Sequence, residues 1–277
     1  MSRRTRLPIA LTIAGSDSGG GAGLQADLQT FAALGVHGTC ALTALTAQTP
    51  RGVQAVQPAS VKLLRAQLHS LFSELRPAAA KTGMLYSTGL VRAVAEFFAR
   101  EKAPPLIVDP VMVATSGVRL LRPSALRAVC DRLLPLAELV TPNLDEAELL
   151  LERTIRDEEE MRAACRAITS RFGCATLCKG GHLRGARHAT DIYYDGRTEL
   201  LLTAPFVRGV STHGTGCTYS AAITAFRAAG EPLPRAVRRA KTFITQAILR
   251  SHRIGRYFAL NWRWQSEAQN ERLWERS

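Results

Sequence analysis

The chain has 277 residues, of which 46% are hydrophobic and 21% are charged, so it can bury a sizeable core as one large α/β domain or two small ones. No stretch approaches the roughly 18 apolar residues that cross a bilayer, which excludes a membrane-spanning helix. The net charge of +13 favours anionic small molecules by general steering. Because the arginines are spread over predicted helix faces we expect no nucleic-acid partner, and because no segment can span a bilayer we expect no membrane partner.

The N-terminus and the cysteines both indicate a reducing compartment. Residues 1–6 are basic, and the apolar segment 7–14 is too short for the core of a signal peptide. Cys174 and Cys178 lie within a strand-like run, and no second closely spaced pair accompanies them, so a zinc site is not expected. We therefore expect a cytoplasmic protein in which the cysteines other than Cys217 are small core residues.

Apolar runs of strand length alternate with segments of helical periodicity. The predicted strands are Ile9–Ala14, Val36–Thr46, Ala78–Thr82, Leu106–Asp109, Leu139–Thr141, Ala175–Lys179 and a hairpin of Asp191–Asp195 with Thr198–Thr203. The predicted helices are Leu24–Leu34, residues 61–75 with Ser60 as N-cap, Thr88–Arg100, Ser124–Leu134, one from Asp145, Glu158–Phe172, Gly216–Ala229 and Pro234–Arg250. This order predicts a mostly parallel sheet with helices on both faces, formed by a single domain over residues 1–265. Residues 266–277 are expected to be a polar, poorly ordered tail.

A glycine-rich run, Ser-Thr-His-Gly-Thr-Gly-Cys-Thr at 211–218, precedes an alanine-rich helix. The backbone N–H groups of Gly214, Thr215 and Gly216, with the positive end of the helix dipole, would converge on one point and suit a phosphate. A thiol there, Cys217, is expected to have a lowered pKa and to act as a base or nucleophile. The alternative is a glycine-rich turn with a structural cysteine.

Polar or glycine-rich residues follow five predicted strands at one edge of the sheet, where parallel α/β sheets bind ligands. These residues are 15–17, 81–84, 109–111, 141–143 and 179–181. The first set opens the run Gly-Ser-Asp-Ser-Gly-Gly-Gly-Ala-Gly at 15–23, which has neither the dinucleotide-binding spacing nor a Walker A lysine. Asp27 lies one turn into the next helix, where a solvated carboxylate is the alternative.

Three further positions have side chains suited to a substrate, a metal or a nucleotide. Gln48 offers a donor and an acceptor side by side, which matches a ring nitrogen beside an exocyclic amine, although a surface glutamine is the alternative. Asp109 and residues 143–146 suit Mg²⁺ held through water, while Asn143 and Glu146 also have capping-box spacing, and both interpretations can hold. Lys179 can reach a nucleotide phosphate or can simply end a strand.

Together these motifs resemble the hydroxymethylpyrimidine/phosphomethylpyrimidine kinases of thiamine biosynthesis, within the ribokinase superfamily. The resemblance covers about residues 8–250, and its motifs stand in order at 15–27, 81–85, 109–114, 141–147, 179–182 and 212–218. The last motif is the most specific, because most ribokinase relatives have an aspartate where this chain has Cys217.

The resemblance implies a ribokinase-like three-layer α/β sandwich. It also implies ATP- and Mg²⁺-dependent phosphorylation of 4-amino-5-hydroxymethyl-2-methylpyrimidine and then of its monophosphate. Carried over by motif, the pyrimidine contacts are Asp27, Gln48, Met84 and Val111; the metal residues are Asp109 and Glu146; the ATP residues are Asn143 and Lys179; the anion-hole residues are Gly214, Thr215 and Gly216; and the base is Cys217. A homodimer is implied as well, and a monovalent cation requirement stays open.

The chain departs from this family after residue 250. Ser-His-Arg-Ile-Gly-Arg at 251–256 replaces a glycine-rich His-Gly run, and Trp262 and Trp264 follow, either at a subunit interface or as anchors of the tail. The nearest alternative function is a pyridoxal or pyridoxine kinase on the same fold. A non-catalytic pyrimidine sensor and a basic nucleic-acid binder are alternatives from other classes, but the intact Asp109, Glu146, Lys179 and Cys217 argue against an inactive enzyme.

Overall fold

The computed structural model describes residues 6–100, 102–112, 121–181, 183, 188–207, 209–210 and 213–265. Nine strands of this part form one sheet: β1 (Ile9–Asp17), β2 (His37–Thr49), β3 (Gly52–Pro58), β4 (Ala79–Thr82), β5 (Leu106–Val108), β6 (Leu139–Val140), β7 (Ala175–Lys179), β8 (His188–Tyr194) and β9 (Glu199–Pro205). Their order is β3-β2-β1-β4-β5-β6-β7-β8-β9. Six neighbouring strands pair in parallel, in the order β2, β1, β4, β5, β6 and β7. The outer strands β3, β8 and β9 are joined by antiparallel pairing. The mostly parallel sheet is confirmed.

Eight α-helices connect or follow the strands in the described residues: α1 (Gly23–Ala33), α2 (Val61–Glu74), α3 (Thr88–Arg100), α4 (Pro123–Ala128), α5 (Leu144–Leu151), α6 (Glu158–Phe172), α7 (Thr215–Ala228) and α8 (Leu233–Leu249). The predicted N-cap of α2 is confirmed, since the Leu63 amide donates to Ser60 Oγ over 3.1 Å. The single helix predicted over Ser124–Leu134 is wrong. It changes after α4 into a π-helical turn and a 3-10 turn that contains Pro135, which has no N–H for an α-helical bond.

The helices cover both faces of the sheet and enclose two main apolar layers. On one face, α2 to α6 pack against the sheet through a core that includes Leu68, Phe98 and Ile168. On the other face, α7 and α8 pack against it through residues such as Phe243, and α1 packs beside α7 through Phe31. The three-layer arrangement is confirmed, and it leaves the carboxyl ends of the parallel strands accessible at one edge.

Strand β3 and a C-terminal hairpin, β10 (His252–Ile254) with β11 (Tyr257–Ala259), were not predicted. The hairpin occupies the stretch where the sequence departs from the family motif. Beyond it, Trp262 Nε1 donates to Thr218 Oγ1 on α7 over 3.0 Å, and Trp264 packs on Phe243 of α8 with ring centroids 6.1 Å apart. Both tryptophans therefore pack on the chain's own core, as the anchoring alternative expects.

Some expectations fall on residues outside the described ranges. The predicted tail at 266–277 is among them, as are residues 113–114, 182 and 211–212 of the motifs. None of the helices in the described part of the chain combines the length and apolarity that a bilayer crossing requires.

Candidate active site

Helix α7 is preceded by a glycine-rich turn whose last residue, the N-cap Gly214, has a left-handed backbone conformation. Gly214 has φ of 79°, and a Cβ atom there would overlap the carbonyl oxygen of Gly21 in the turn after β1. The first intrahelical bond of α7 runs from the Thr218 amide to the Gly214 carbonyl over 2.9 Å. The amides of the N-cap Gly214 and of Thr215, Gly216 and Cys217 are therefore the first four of the helix, which lack intrahelical acceptors and suit an anion.

Lys179 and Asp109 meet beside this turn. Lys179 Nζ donates to Asp109 Oδ1 over 3.1 Å, and a Cβ on Gly216 would lie only 3.2 Å from the same Nζ atom. Ser220 Oγ of α7 donates to Asp109 Oδ2 over 3.1 Å. Burial raises the pKa of Asp109, but the charges of Lys179 and Lys81 outweigh it and hold that pKa below its ordinary value. The site therefore places an ionised carboxylate and an ammonium group next to the anion-binding amides.

Asn143 and Glu146 form the capping box that their spacing predicts. The Glu146 amide donates to Asn143 Oδ1 over 2.8 Å, and the Asn143 amide donates to Glu146 Oε2 over 2.9 Å. The other oxygen, Glu146 Oε1, accepts from the Met112 amide over 3.2 Å. Burial raises the pKa of Glu146. The capping interpretation is confirmed, and it fixes this carboxylate near the ends of β5 and β6.

A cage of three or more His, Cys, Asp or Glu side chains able to hold a metal does not occur among the described residues. Mg²⁺ in kinases needs less, because one or two carboxylates, waters and the substrate phosphates complete its shell. Asp109 and Glu146 fit that requirement: they are oxygen donors, both are buried, and Lys179 lies close enough for its pKa to be raised by both carboxylates against the effect of burial.

Asp27 is fully buried and both of its carboxylate oxygens are bound within the protein. Thr12 Oγ1 donates to Oδ2 over 2.6 Å, and Lys81 Nζ donates to Oδ1 over 2.7 Å. The alternative of a solvated carboxylate is therefore wrong. Lys81 Nζ also lies 3.4 Å from the Cys217 carbonyl oxygen, so the pair supports the first turn of α7. The predicted contact of Asp27 with a pyrimidine stays a prediction.

Cys217 differs from the expected reactive thiol. Burial raises the pKa of this thiol to about 12, because desolvation and the charges of Asp27 and Asp109 outweigh the Lys81 charge and a hydrogen bond from the Gly23 amide. The expected lowering of its pKa is wrong for this arrangement. The helix-dipole argument considered the amides alone and did not include the burial of the sulfur atom.

Met84 and Val111 lie together in a small apolar cluster with Ala44. Gly15 leaves room for the Met84 methyl group, which a Cβ atom at position 15 would overlap. Val111 has φ of 23°, a strained conformation for a β-branched residue and one that is concentrated at functional sites. These features support an apolar wall at the same edge of the sheet.

Gln48 stands at the end of β2 beside the turn that follows β1. Its side-chain Oε1 accepts from Thr46 Oγ1 over 3.2 Å, and its backbone amide donates to Ser18 Oγ over 2.8 Å. The residue is half-buried on a strand, so it is held in place more firmly than a surface-loop glutamine.

Sequence reasoning missed four polar residues of this region: Asp17, Lys81, His213 and Ser220. Lys81 carried a signal, since a lysine inside a buried strand needs a partner. Asp17 and His213 stood within quoted motifs, but the spacing of those motifs does not show which side chains meet. Ser220 lies one turn into α7, where helical periodicity places it beside Gly216.

A carboxylate, a lysine and a glycine-rich helix start at the carboxyl edge of a sandwiched parallel sheet define a phosphotransferase with the ribokinase-like fold. The family model for phosphomethylpyrimidine kinase matches residues 17–261, and the chain belongs to that family.

Individual relatives agree with this assignment. The hydroxymethylpyrimidine/phosphomethylpyrimidine kinase of Rhizobium meliloti (strain 1021) is 50% identical over 247 residues, which are 89% of this chain and 92% of the relative. The solved phosphomethylpyrimidine kinase of Clostridium difficile 630 is 37% identical, with a TM-score of 0.78 over 87% of this chain and 99% of that one. An ADP complex of Bacillus subtilis pyridoxal kinase is 36% identical, with a TM-score of 0.86 over 92% of this chain and 97% of that one.

Proposed function

We propose that the protein uses ATP to phosphorylate the hydroxymethyl group of 4-amino-5-hydroxymethyl-2-methylpyrimidine, and then the resulting monophosphate, for thiamine diphosphate biosynthesis. The observation that carries the proposal is the start of α7, where anion-binding amides and a thiol occupy consecutive residues with Lys179 against Gly216. The Rhizobium relative, named for both pyrimidine substrates, supports the substrate choice, and the ADP complex of the Bacillus structure supports the nucleotide.

In this proposal the anion site stabilises the transferring phosphoryl group. Gly214, Thr215 and Gly216 supply backbone amides, which cost no reorganisation because the helix already orients them. Lys179 neutralises nucleotide phosphates as a point charge, and Asn143 orders the neighbouring turn through its capping bonds. Phosphoryl transfer depends mainly on such positioning and charge neutralisation.

The pyrimidine would lie against the apolar wall of Met84 and Val111. Gln48 would form hydrogen bonds with the aminopyrimidine edge. Asp27, bound to Lys81, would be a further contact of the pyrimidine. Desolvation of that edge makes its hydrogen bonds selective, because an unpaired polar edge in the pocket is costly.

Asp109 and Glu146 are the residues that would hold Mg²⁺ together with the ATP phosphates. The ion, when bound, neutralises the charge that develops on the transferred oxygens. A homodimer, a cytoplasmic location and a single kinase domain over residues 1–265 complete the proposal, and the mass of the protein in solution tests the dimer. A monovalent cation requirement stays open and is tested by the potassium dependence of turnover.

Cys217 is the proposed base. As the substrate oxygen attacks phosphorus, its O–H bond breaks and the proton passes to a Cys217 thiolate, while the bond from phosphorus to the ADP oxygen breaks. Since burial raises the pKa of this thiol to about 12, the thiolate is rare at neutral pH. Cys217 has two proposed roles: it accepts the proton as a base, and it shapes the anion site. Because few molecules carry the thiolate at neutral pH, each role needs its own test.

The deciding experiment mixes purified protein with Mg-ATP and either the hydroxymethylpyrimidine or pyridoxal, and follows products by mass spectrometry. We expect mono- and diphosphorylated pyrimidine. Phosphorylated pyridoxal alone would assign the chain to vitamin B6 metabolism, the second candidate, which the similarity to the Bacillus pyridoxal kinase favours. If neither alcohol is phosphorylated, the hypothesis of a non-catalytic pyrimidine sensor is favoured.

A further inference from the structure

The two glycine-rich turns of the site pack directly against each other. One runs from the end of β1 to the start of α1 at residues 17–23, and the other leads into the first residues of α7 at residues 213–217. A Cβ atom on Gly21 would lie 2.8 Å from His213 Cδ2, and one on Gly214 would overlap the Gly21 carbonyl oxygen. Their backbones are therefore in van der Waals contact, and neither turn can shift without moving the other.

Asp17 is the centre of this contact. Its Oδ1 atom accepts from the Gly19 amide over 2.8 Å, and its Oδ2 atom accepts from the amides of Gly21 and Ala22 over 3.1 and 2.8 Å. His213 Nε2 lies 2.9 Å from the same Oδ2 atom. One buried carboxylate thus orders its own turn and reaches across to the other.

The direction of the cross-turn bond follows from the charge of Asp17. Burial raises the pKa of this carboxyl, but the hydrogen bond from His213 and those from Gly19 and Ala22 outweigh it and hold that pKa below its ordinary value. An ionised carboxylate only accepts, so His213 Nε2 carries the hydrogen and donates it. Hydrogen bonds to a charged acceptor are among the stronger ones in proteins.

We propose that Asp17 and His213 are positioning residues for phosphoryl transfer, which fix the 213–217 turn and with it the amides at the start of α7. This inference rests on the proposed function of those amides. The amides act on the transferring group, so a looser turn lowers the rate of the chemical step more than it weakens substrate binding. A displacement of about 1 Å is enough for a loss on the order of 100-fold.

The test compares two substitutions that differ in one donor. In His213→Gln the side-chain Nε2 can replace the imidazole Nε2 as donor to Asp17, whereas His213→Ala removes it. We expect kcat on the pyrimidine to fall roughly 50- to 100-fold in His213→Ala, with both KM values within about threefold, and to recover to within about fivefold in His213→Gln. His37→Ala, an exposed histidine at the start of β2, is the control and should keep wild-type kcat.

Asp17→Asn and the double variant Asp17→Asn/His213→Ala complete the cycle. If the pair acts as a unit, the double variant loses no more than about the larger single loss. The proposal is overturned if His213→Gln is as impaired as His213→Ala, if the losses multiply, or if they appear in KM alone. Failure of both His213 variants to fold, seen as loss of a cooperative urea transition, would also overturn it and assign the contact to stability.

The wild-type protein, assayed in parallel, separates this inference from the proposed function. Absence of pyrimidine phosphorylation by the wild type would refute the proposed function. The two His213 variants are then compared on pyridoxal, whose phosphorylation needs the same amides, and the same kcat pattern is required.

Discussion

Lys81 and Asp27 form an ion pair whose two side chains have no exposed surface, and it lies beneath the first turn of α7. The Nζ and Oδ1 atoms are 2.7 Å apart. Asp27 raises the pKa of Lys81 against the effect of burial, so the ammonium stays charged inside the protein. This charge is also the main favourable partner for a thiolate at Cys217.

Removal of one member of this pair should be strongly destabilising, because it leaves an unpaired buried charge. We expect Lys81→Met to lower the free energy of unfolding by about 3–5 kcal/mol, measured by urea denaturation. The double substitution Lys81→Met/Asp27→Leu should restore much of that loss. A single variant as stable as the wild type would contradict the buried ion pair.

The reactivity of Cys217 should depend on pH as expected for a thiol with a raised pKa. With a pKa of about 12, its rate of alkylation by iodoacetamide rises about tenfold per pH unit from pH 7 to 10, since only the thiolate reacts. Peptide mapping by mass spectrometry separates this residue from Cys40, which is exposed, so the expectation that it is a core residue is wrong. A plateau below pH 8 would show that the thiol is already ionised near neutral pH.

Cys217→Ala should distinguish the two proposed phosphorylations. The first nucleophile is an alcohol that must lose a proton, whereas the second is a phosphate oxygen that is already ionised at neutral pH. We expect the first single-turnover rate to fall by a factor of about 100 and the second by much less. Equal losses would mean that Cys217 shapes the anion site and does not act as a base.

Gly214→Ala should abolish the anion site for a steric reason. The residue has φ of 79°, and an added Cβ overlaps Gly21, so we expect at least about a 100-fold loss of kcat. Gly35→Ala is the matched control: its φ is 71°, but nothing lies within 4 Å of the added Cβ. The control should lose about 1 kcal/mol of stability and retain its activity. Similar activity in the two variants would disprove the packing argument.

Gln48→Leu should weaken pyrimidine binding, because the polar edge of the ring loses its partner. We expect KM for the pyrimidine to rise roughly 10-fold or more, with KM for ATP unchanged. Steady-state kinetics with each substrate varied in turn measures both constants. An unchanged pyrimidine KM would remove Gln48 from the substrate site.

The long amphipathic elements and the edge of the sheet were predictable from the sequence. Helix α6 has the predicted bounds, and Ser60 caps α2 as expected. Strand β3 was missed because its side chains are partly exposed, which weakens the alternation that marks a strand.

The sequence pattern does not predict which side chains contact each other inside the site. Lys81 and Asp27 are 54 residues apart, and Asp17 and His213 are 196 apart, so only the folded chain shows that they meet. The prediction of a lowered pKa for Cys217 was wrong for a related reason. A turn of glycines predicts local dipoles, whereas desolvation depends on everything that packs around the sulfur.

The bond between Trp262 and Thr218 has a practical consequence for the production of shortened forms of this enzyme. Every recognisable motif ends before residue 250, so a boundary drawn on motifs alone would remove the residues that close over α7 next to Cys217. Such a shortened protein would retain each motif residue and still lose part of the cover over its second apolar layer, in which Leu260 is buried. The segment beyond the quoted motifs is thus part of the scaffold that those motifs require.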